Sequence, residues 1–262
     1  MKIALGQLDM GFEEKEKAME ICSQMIAEAG DLKADLIVFP EMTLTGFTMK
    51  PAIYGENIAS SESIAFFQKE AKKNHIAICF GITISENEVF TNRSLVLDAE
   101  GTILADYGKL HLFFGPETKR YSGGDELQYC QIDGVPLSPF VCYDLRFPEP
   151  FLIASDKSHI ITVIACWPEA RREHWMTLLR ARAIENQCFI IGVNRTGVAG
   201  KLNYVGDSMV ISPNGDILAH VKEKDSLTIV DIQPEEVVAL REQFPQKGDR
   251  RPDLYIKLAS QD

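Results

Sequence analysis

The sequence predicts an α/β sandwich, in which helices cover both faces of sheets that mix parallel and antiparallel strands. Helical and strand-like apolar patterns alternate along the chain, hairpin signals interrupt this alternation, and apolar residues make up 45% of the 262 residues. This apolar fraction is typical of a globular protein with a large buried core. Because α/β enzymes of this length commonly fold around one core, we expect a single domain over residues 1–262.

Helices and strands alternate over the first third of the chain. Residues 3–8 form an alternating, strand-like run, apolar residues recur on one helical face over 18–29, and residues 35–39 resemble a buried strand. A second helical face over 64–71 precedes a β-rich run over 76–84. These patterns predict helices that connect neighbouring strands across a sheet face.

The remaining elements add hairpins to this alternation. Residues 93–98 and 102–107 are strand-like and flank the segment 99–101, whose length and glycine indicate an antiparallel hairpin. A helix is predicted over 175–183, and a turn is predicted at 213–215. Further strands are predicted at 137–143, 160–165, 188–193, 207–212, 216–221 and 227–232. A short helix and a polar tail are expected to follow.

Composition argues against several classes of function. The formal charge of −11 comes without a basic stripe, whereas nucleic-acid binding usually requires one to neutralise phosphates. No apolar stretch approaches the roughly 18 residues that a membrane helix needs, and the first residues resemble a strand rather than a signal peptide. We therefore expect a soluble, cytoplasmic protein with no nucleic-acid partner and no membrane association.

Cysteine and histidine usage argues against a metal site. The six cysteines form no C-x-x-C pair, and most lie in apolar runs, which is typical of reduced thiols in a cytosolic core. The five histidines include no H-E-x-x-H motif, so the usual zinc spacings are missing as well. We predict that no metal is bound.

Three chemically useful residues follow predicted strands. Cys142 lies where an apolar strand gives way to a polar segment, a position that suits a nucleophile. Glu41 and Lys109 also follow strands, where a carboxylate suits a general base and an ammonium suits an oxyanion. Each signal is weak alone, because a cysteine in an apolar run is more often core filling and strand-end charges are more often solvated.

Taken together, these residues lie in three runs that resemble the catalytic motifs of the nitrilase superfamily of carbon–nitrogen hydrolases. The runs are FPE at 39–41, GKLHLF at 108–113 and VCYDLRFPE at 141–149, in that order. The segments GDS at 206–208 and SPNG at 212–215 resemble a later signature of the same superfamily. The likeness covers nearly the whole chain, and it implies a four-layer α-β-β-α sandwich.

The resemblance also implies a mechanism. Glu41 would accept the thiol proton of Cys142, and the thiolate would attack an amide carbonyl to form a thioester. Lys109 and the backbone N–H of Tyr143 would stabilise the oxyanion. Glu117 stands where the family often carries a second glutamate that orients the lysine and the substrate. Neither a metal nor an organic cofactor is needed, and we further expect a structural ion pair between Arg146 and Glu149.

Within the superfamily, the chain is most similar to the omega-amidase branch, which deamidates short 2-oxo acid amides. The likeness lies in Trp167-Pro168, in Arg171, in His174-Trp175, in the run 180–187 and in the tail 244–255. It implies a small amide substrate with a distal carboxylate, such as 2-oxoglutaramate or 2-oxosuccinamate. Arg171 is the first candidate to bind that carboxylate, with Arg172 as the alternative, and Trp167 is expected in the substrate site.

Other functions remain open at this point. An N-carbamoyl amino acid hydrolase, a deaminated glutathione amidase or a nitrilase would use the same three residues. A non-catalytic binding or scaffold protein of the family is a different class, against which the intact Glu41, Lys109 and Cys142 argue. A nucleotide-binding domain is disfavoured because no phosphate-binding loop is present. The family resemblance also implies a homodimer, with the tail from about residue 244 at the interface.

Overall fold

The backbone forms thirteen strands and seven α-helices in residues 1–222 and 224–260, which are the residues that this computed structural model describes. The strands are β1 (Lys2–Gln7), β2 (Leu36–Val38), β3 (Ala77–Glu86), β4 (Val89–Leu97), β5 (Ile103–Gly108), β6 (Cys130–Ile132), β7 (Val135–Val141), β8 (Ile160–Ala165), β9 (Phe189–Asn194), β10 (Thr196–Ala199), β11 (Leu202–Ile211), β12 (Ile217–Lys222) and β13 (Ser226–Asp231). The helices are α1 (Lys15–Asp31), α2 (Pro51–Tyr54), α3 (Glu62–Asn74), α4 (Pro148–Ala154), α5 (Arg172–Asn186), α6 (Glu235–Gln243) and α7 (Pro252–Ala259).

The first sheet has the order β13-β1-β2-β3-β4-β5. The pairs β1–β2 and β2–β3 are parallel, whereas the other three pairs are antiparallel. The hairpin predicted around residues 99–101 is confirmed, since it joins β4 to β5. A second hairpin, which joins β3 to β4, was not predicted from the sequence. Strand β4 begins at Val89 and pairs with β3 through a turn in which Asn87 and Glu88 both have positive φ.

The second sheet has the order β10-β11-β9-β8-β7-β6, and β12 pairs with β11. Its centre is parallel, since β7, β8 and β9 run in the same direction. The carboxyl ends of β7 and β8 are adjacent, because Val141 pairs with Ile164. Residues that follow these two strands therefore meet at one edge of the sheet.

Two apolar clusters define the layers of the molecule. Alternate residues of β1 divide between them, since Leu5 belongs to one cluster and Ala4 to the other. The cluster with Ala4 includes Phe67 of α3, which stacks on Phe80 of β3 with ring centroids 4.0 Å apart. The cluster with Leu5 joins both sheets and includes Trp175 of α5.

The order of layers is therefore helices, first sheet, second sheet and helices, which confirms the predicted α-β-β-α sandwich. Close packing of α5 on the second sheet requires a glycine in β9, because a Cβ at Gly192 would lie 2.5 Å from Leu179 Cδ1. Among the described residues, no helix is both long enough and apolar enough to cross a bilayer. The single domain over 1–262 stays a prediction, and its residues 223, 261 and 262 lie outside the described residues.

Candidate active site

Cys142 occupies the first position of a 3₁₀ turn, Cys142–Arg146, that follows β7. The strand was predicted to reach residue 143, but it ends at Val141 because Cys142 has a φ of +46°. A residue with a side chain in this left-handed region costs on the order of 1–3 kcal/mol, so the surrounding structure must hold it there. The turn places Cys142 in the wall of a cleft.

The buried side chain of Asp144 holds this turn in place. Its Oδ2 accepts hydrogen bonds from the Val141 N–H at 3.2 Å and from the Tyr107 hydroxyl at 2.8 Å. Its Oδ1 accepts the backbone N–H of His111 at 2.8 Å. Asp144 thereby joins the turn of Cys142 to β5 and to the segment after it, and sequence reasoning assigned it no such role.

Glu41 is fully buried in the loop that follows β2. Its Oε1 accepts from Lys109 Nζ at 2.9 Å and from Asn92 Nδ2 at 2.7 Å, and its Oε2 accepts from the Cys166 N–H at 2.8 Å. The loop lies directly against β3, since a Cβ at Gly81 would come within 2.2 Å of the backbone nitrogen that follows Glu41. A carboxylate offers about four lone-pair positions, so three donors leave Glu41 capacity to accept a further proton.

Lys109 follows β5 and bridges two carboxylates. Its Nζ lies 2.9 Å from Glu41 Oε1 and 3.0 Å from Glu117 Oε2, and all three side chains are fully buried. Glu117 lies in the 3₁₀ turn Glu117–Lys119, and its position is fixed by bonds from Asn92 Nδ2 at 3.0 Å and from the Phe113 N–H at 2.6 Å. The structure therefore brings Glu117 to Lys109 and buries it completely.

The charges of this cluster favour a neutral thiol and a charged lysine in the resting protein. Burial raises the pKa of Cys142 well above the ordinary thiol range, and the Glu41 carboxylate adds to that rise while Lys109 opposes it. Burial alone would lower the pKa of Lys109, but Glu41 and Glu117 outweigh it and raise that pKa well above its usual value. Burial also raises the pKa of Glu117. Cys142 thus requires a base beside it before it can act as a thiolate.

The cleft beside Cys142 has a volume of about 430 Å³, including its open mouth. Aromatic rings and cations share its walls. Its lining consists of Phe47, Lys109, Phe113, Cys142, Tyr143, Arg146, Cys166, Trp167, Pro168, Arg171, Leu202 and Tyr204. An amide that enters the cleft would meet the thiol, the ammonium and two guanidinium groups.

Arg171 and Trp167 both line this cleft, as expected of substrate-binding residues. Trp167 Nε1 donates to the backbone carbonyl of Arg171 at 2.8 Å, and the Arg171 guanidinium lies 5.3 Å from the centroid of the Phe113 ring. Arg172, the alternative candidate, instead pairs with the buried Asp207, with its Nε 2.7 Å from Asp207 Oδ2. The geometry therefore favours Arg171 over Arg172.

Arg146 provides a second guanidinium in the cleft wall, in addition to that of Arg171, and sequence reasoning did not assign it to the substrate site. The prediction of an ion pair between Arg146 and Glu149 is wrong, because the described residues contain no such pair. Glu149 is exposed in the first turn of α4, whereas the Arg146 guanidinium lies 4.8 Å from the centroid of Trp167.

Tyr143 follows the nucleophile and contributes its ring to the cleft wall. The ring meets Phe113 and Phe147 edge to face, at centroid distances of 5.2 and 5.4 Å. Its backbone N–H belongs to the first turn of a helical segment, where N–H groups have no acceptor within the helix. That N–H is suited to an oxyanion that forms beside Cys142.

Comparison with known proteins places the chain in a family. Residues 2–242 match the sequence profile described as "Carbon-nitrogen hydrolase". A 2-oxoglutaramate amidase of Bacillus subtilis (strain 168) is 34% identical over 238 residues, which cover 89% of this chain and 91% of that protein. Omega-amidase YafV of Escherichia coli (strain K12) is 34% identical over 218 residues, which cover 82% of this chain and 84% of that protein.

A solved structure agrees with these matches. XC1258 from Xanthomonas campestris, described as a CN-hydrolase superfamily protein with an arsenic adduct in the active site, is 30% identical and superposes with a TM-score of 0.90. The match covers 96% of this chain and 97% of that one. The sequence resemblance is thus confirmed, and the chain belongs to the carbon–nitrogen hydrolase family.

Proposed function

We propose that this chain, an amidase of the carbon–nitrogen hydrolase family, hydrolyses the terminal amide of a small carboxylate-bearing amide. The preferred substrates would be 2-oxo acid amides such as 2-oxoglutaramate or 2-oxosuccinamate. The observation that carries the proposal is that one cleft contains both the thiol of Cys142 and the guanidinium groups of Arg146 and Arg171. The names of the B. subtilis and E. coli relatives support the same substrate class.

In the first half of the reaction, Glu41 takes the proton of the Cys142 thiol, and the thiolate attacks the amide carbon. The carbonyl oxygen becomes an oxyanion, which the Lys109 ammonium and the Tyr143 N–H stabilise. Glu41 then gives its proton to the amide nitrogen, the carbon–nitrogen bond breaks and ammonia leaves. The acyl group remains on Cys142 as a thioester.

In the second half, Glu41 removes a proton from water, and the resulting hydroxide attacks the thioester carbon. The carbon–sulfur bond breaks, the carboxylic acid leaves and the Cys142 sulfur recovers the proton from Glu41. Glu117 and Asn92 touch no reacting atom in this scheme. Their hydrogen bonds hold Lys109 and Glu41 in position. Every step uses groups of this chain, so the mechanism requires neither a metal nor an organic cofactor.

The distal carboxylate of the substrate would lie between the two arginines of the cleft wall. Lys109 is not free for this task, because Glu41 and Glu117 already engage its ammonium. Guanidinium groups bind carboxylates through paired hydrogen bonds, and aromatic stacking keeps their planes in place. Each guanidinium has an aromatic neighbour, since Arg171 lies 5.3 Å from the centroid of Phe113 and Arg146 lies 4.8 Å from that of Trp167.

We also propose that the chain is a cytoplasmic homodimer. All six cysteines are unpaired, as in proteins of reducing compartments. Apolar side chains of α7 and of the segment before it are exposed in the single chain, namely Phe244, Tyr255, Ile256 and Leu258. A second copy would cover this surface, and light scattering at micromolar concentration should give twice the 29.3 kDa mass of one chain.

A substrate panel tests the proposed function. Ammonia release should be fastest from 2-oxoglutaramate and 2-oxosuccinamate, slower from N-carbamoyl amino acids and deaminated glutathione, and slowest from nitriles. The Cys142→Ala variant should be inactive on the whole panel. A preference for ureido acids, deaminated peptides or nitriles would assign another activity of the same family, and inactivity of the wild type on all of them would favour a binding role.

A further inference from the structure

Arg146 contacts a side chain that the mechanism above does not use. Its Nη2 lies 3.2 Å from Nδ1 of His174, an exposed residue in the first turn of α5. Its guanidinium also lies over the rings of Trp167 and Tyr143, at 4.8 and 5.9 Å from their centroids. The histidine therefore meets one edge of a guanidinium that lies against aromatic rings in the cleft wall.

The nature of this contact follows from the chemistry of the two groups. A guanidinium has N–H donors and no acceptor, so His174 Nδ1 is the acceptor in this hydrogen bond. The Trp167 ring, whose centroid lies 4.8 Å from the Arg146 guanidinium carbon, attracts the cation but does not decide which N–H edge points toward the cleft. The bond to His174 engages one edge and thereby sets the direction of the others.

Histidine, unlike a carboxylate, brings no negative charge to Arg146. Arg146 forms no ion pair with any residue in 1–222 or 224–260, so no carboxylate of the described chain neutralises it. His174 orients the guanidinium and leaves its positive charge available. A carboxylate in place of His174 would orient Arg146 equally well, but it would compete with a carboxylate of the substrate.

The backbone that carries His174 is itself held firmly. Arg172, the first residue of α5, pairs with buried Asp207 at 2.7 Å, and Trp175 Nε1 donates to the Asp207 carbonyl at 2.8 Å. These contacts anchor the first turn of α5 to β11. They fix the backbone position from which the His174 side chain reaches Arg146.

We propose that His174 is a positioning residue that orients Arg146 to bind the distal carboxylate of the substrate, an inference that rests on the proposed function. The residue does not touch the reacting atoms. Its effect should therefore appear in the KM for carboxylate-bearing amides, with little effect on kcat or on uncharged amides.

A matched pair of variants and a matched pair of substrates test this inference. His174→Leu removes the acceptor, whereas His174→Asn can present Oδ1 close to the place of Nδ1. The substrates are succinamate and butyramide, which have the same length and differ in the carboxylate. His174→Leu should raise the KM for succinamate by about fivefold or more, which is the effect of losing about one ordinary hydrogen bond. His174→Asn should recover most of this loss, and butyramide should be unaffected by either change.

The same change in an Arg146→Ala background shows whether the histidine acts through the arginine. There, His174→Leu should cause no further loss on succinamate. Three outcomes would each overturn the inference. His174→Leu could raise the succinamate KM equally in the wild-type and Arg146→Ala backgrounds, raise the KM equally for succinamate and butyramide, or leave the succinamate KM unchanged. Wild-type enzyme that does not prefer succinamate to butyramide would overturn the proposed carboxylate site and this inference with it. A preference in the wild type that is undiminished in His174→Leu would overturn the inference alone.

Discussion

The ammonium of Lys109 lies 2.9 Å from the carboxylate of Glu41, and neither side chain has any exposed surface. This ion pair puts the proposed base and the proposed oxyanion cation in fixed contact beside Cys142. Because both are removed from water, their interaction with each other and with a reacting group is stronger than at a surface. The pair also means that a change in one partner affects the other.

Replacement of Glu41 by glutamine should stop proton transfer from the thiol. An amide cannot accept that proton, and the raised pKa of Cys142 means that few thiolates form without a base. We expect kcat/KM to fall by about 10²-fold or more. Steady-state ammonia release measures the loss, and Glu149→Gln, at an exposed acid of α4, is the matched control. Activity within a few-fold of the wild type in Glu41→Gln would rule out Glu41 as the base.

Replacement of Lys109 by methionine should destabilise the protein as well as inactivate it. Glu41 and Glu117 would remain buried without a cation, and removal of one partner from such a pair costs about 3–5 kcal/mol. In the variant, binding a proton would neutralise each buried carboxylate and remove the free-energy cost of its unpaired charge. Their folded pKa values would lie above the unfolded values, so the loss of stability should be small near pH 4 and grow as the pH rises.

Urea unfolding at pH 5 and pH 8 tests this expectation, with Lys119→Met at an exposed position as the control. The Lys109→Met variant should lose more stability at pH 8 than at pH 5. Equal losses at both pH values would show that its cost comes from packing and not from the buried charges.

Replacement of Arg171 by alanine should weaken the use of carboxylate-bearing amides. We expect kcat/KM for these amides to fall roughly thirtyfold, which corresponds to a loss of about 2 kcal/mol in transition-state binding, with a neutral amide of similar length little affected. Arg120→Ala, at an exposed arginine that does not line the cleft, is the matched control. Similar losses on charged and neutral amides would show that Arg171 supports the fold or the nucleophile instead.

Buried thiols should make the protein less stable in alkali. Burial raises the pKa of Cys188 to about 12, whereas the pKa of a cysteine in the unfolded chain is about 8.5. Above that lower value the unfolded chain loses a proton that the folded chain retains, so the free energy of unfolding falls as pH rises. The decline is up to about 1.4 kcal/mol per pH unit for each such thiol.

Denaturant unfolding between pH 9 and pH 10.5 measures this slope. The Cys188→Ala variant should start from a lower stability and then decline less steeply than the wild type. Parallel slopes for the two proteins would show that the Cys188 thiol does not distinguish the folded from the unfolded chain.

The sequence alone was sufficient for the fold class, and local runs singled out three central residues whose catalytic roles stay a prediction. Glu41, Lys109 and Cys142 each follow a strand within a distinctive motif, and the structure brings Glu41 and Lys109 into contact. Asn92 gave no local signal, and Asp144 lay within the third motif without an assigned role. Asn92 bonds to Glu41 across 51 residues of sequence, and Asp144 reaches Tyr107 across 37, so only the packed sheets reveal these contacts.

The cleft wall was harder to predict for the same reason. Arg171 was expected there and lines it, but Arg146 was expected to pair with its near neighbour Glu149. The positive φ of Cys142 turns the chain and helps to direct Arg146 toward Trp167 instead. A pattern of spacing along the sequence does not encode such a turn.

The most direct test of the account is the mass of the intact protein after a rapid acid quench during turnover of 2-oxoglutaramate. Wild-type protein should carry the acyl group of the substrate as a thioester, and Cys142→Ala should carry none and release no ammonia. Cys166→Ala, which removes the other thiol of the cleft, should still form the adduct. Ammonia release by Cys142→Ala at the wild-type rate would contradict the central claim that Cys142 is the nucleophile.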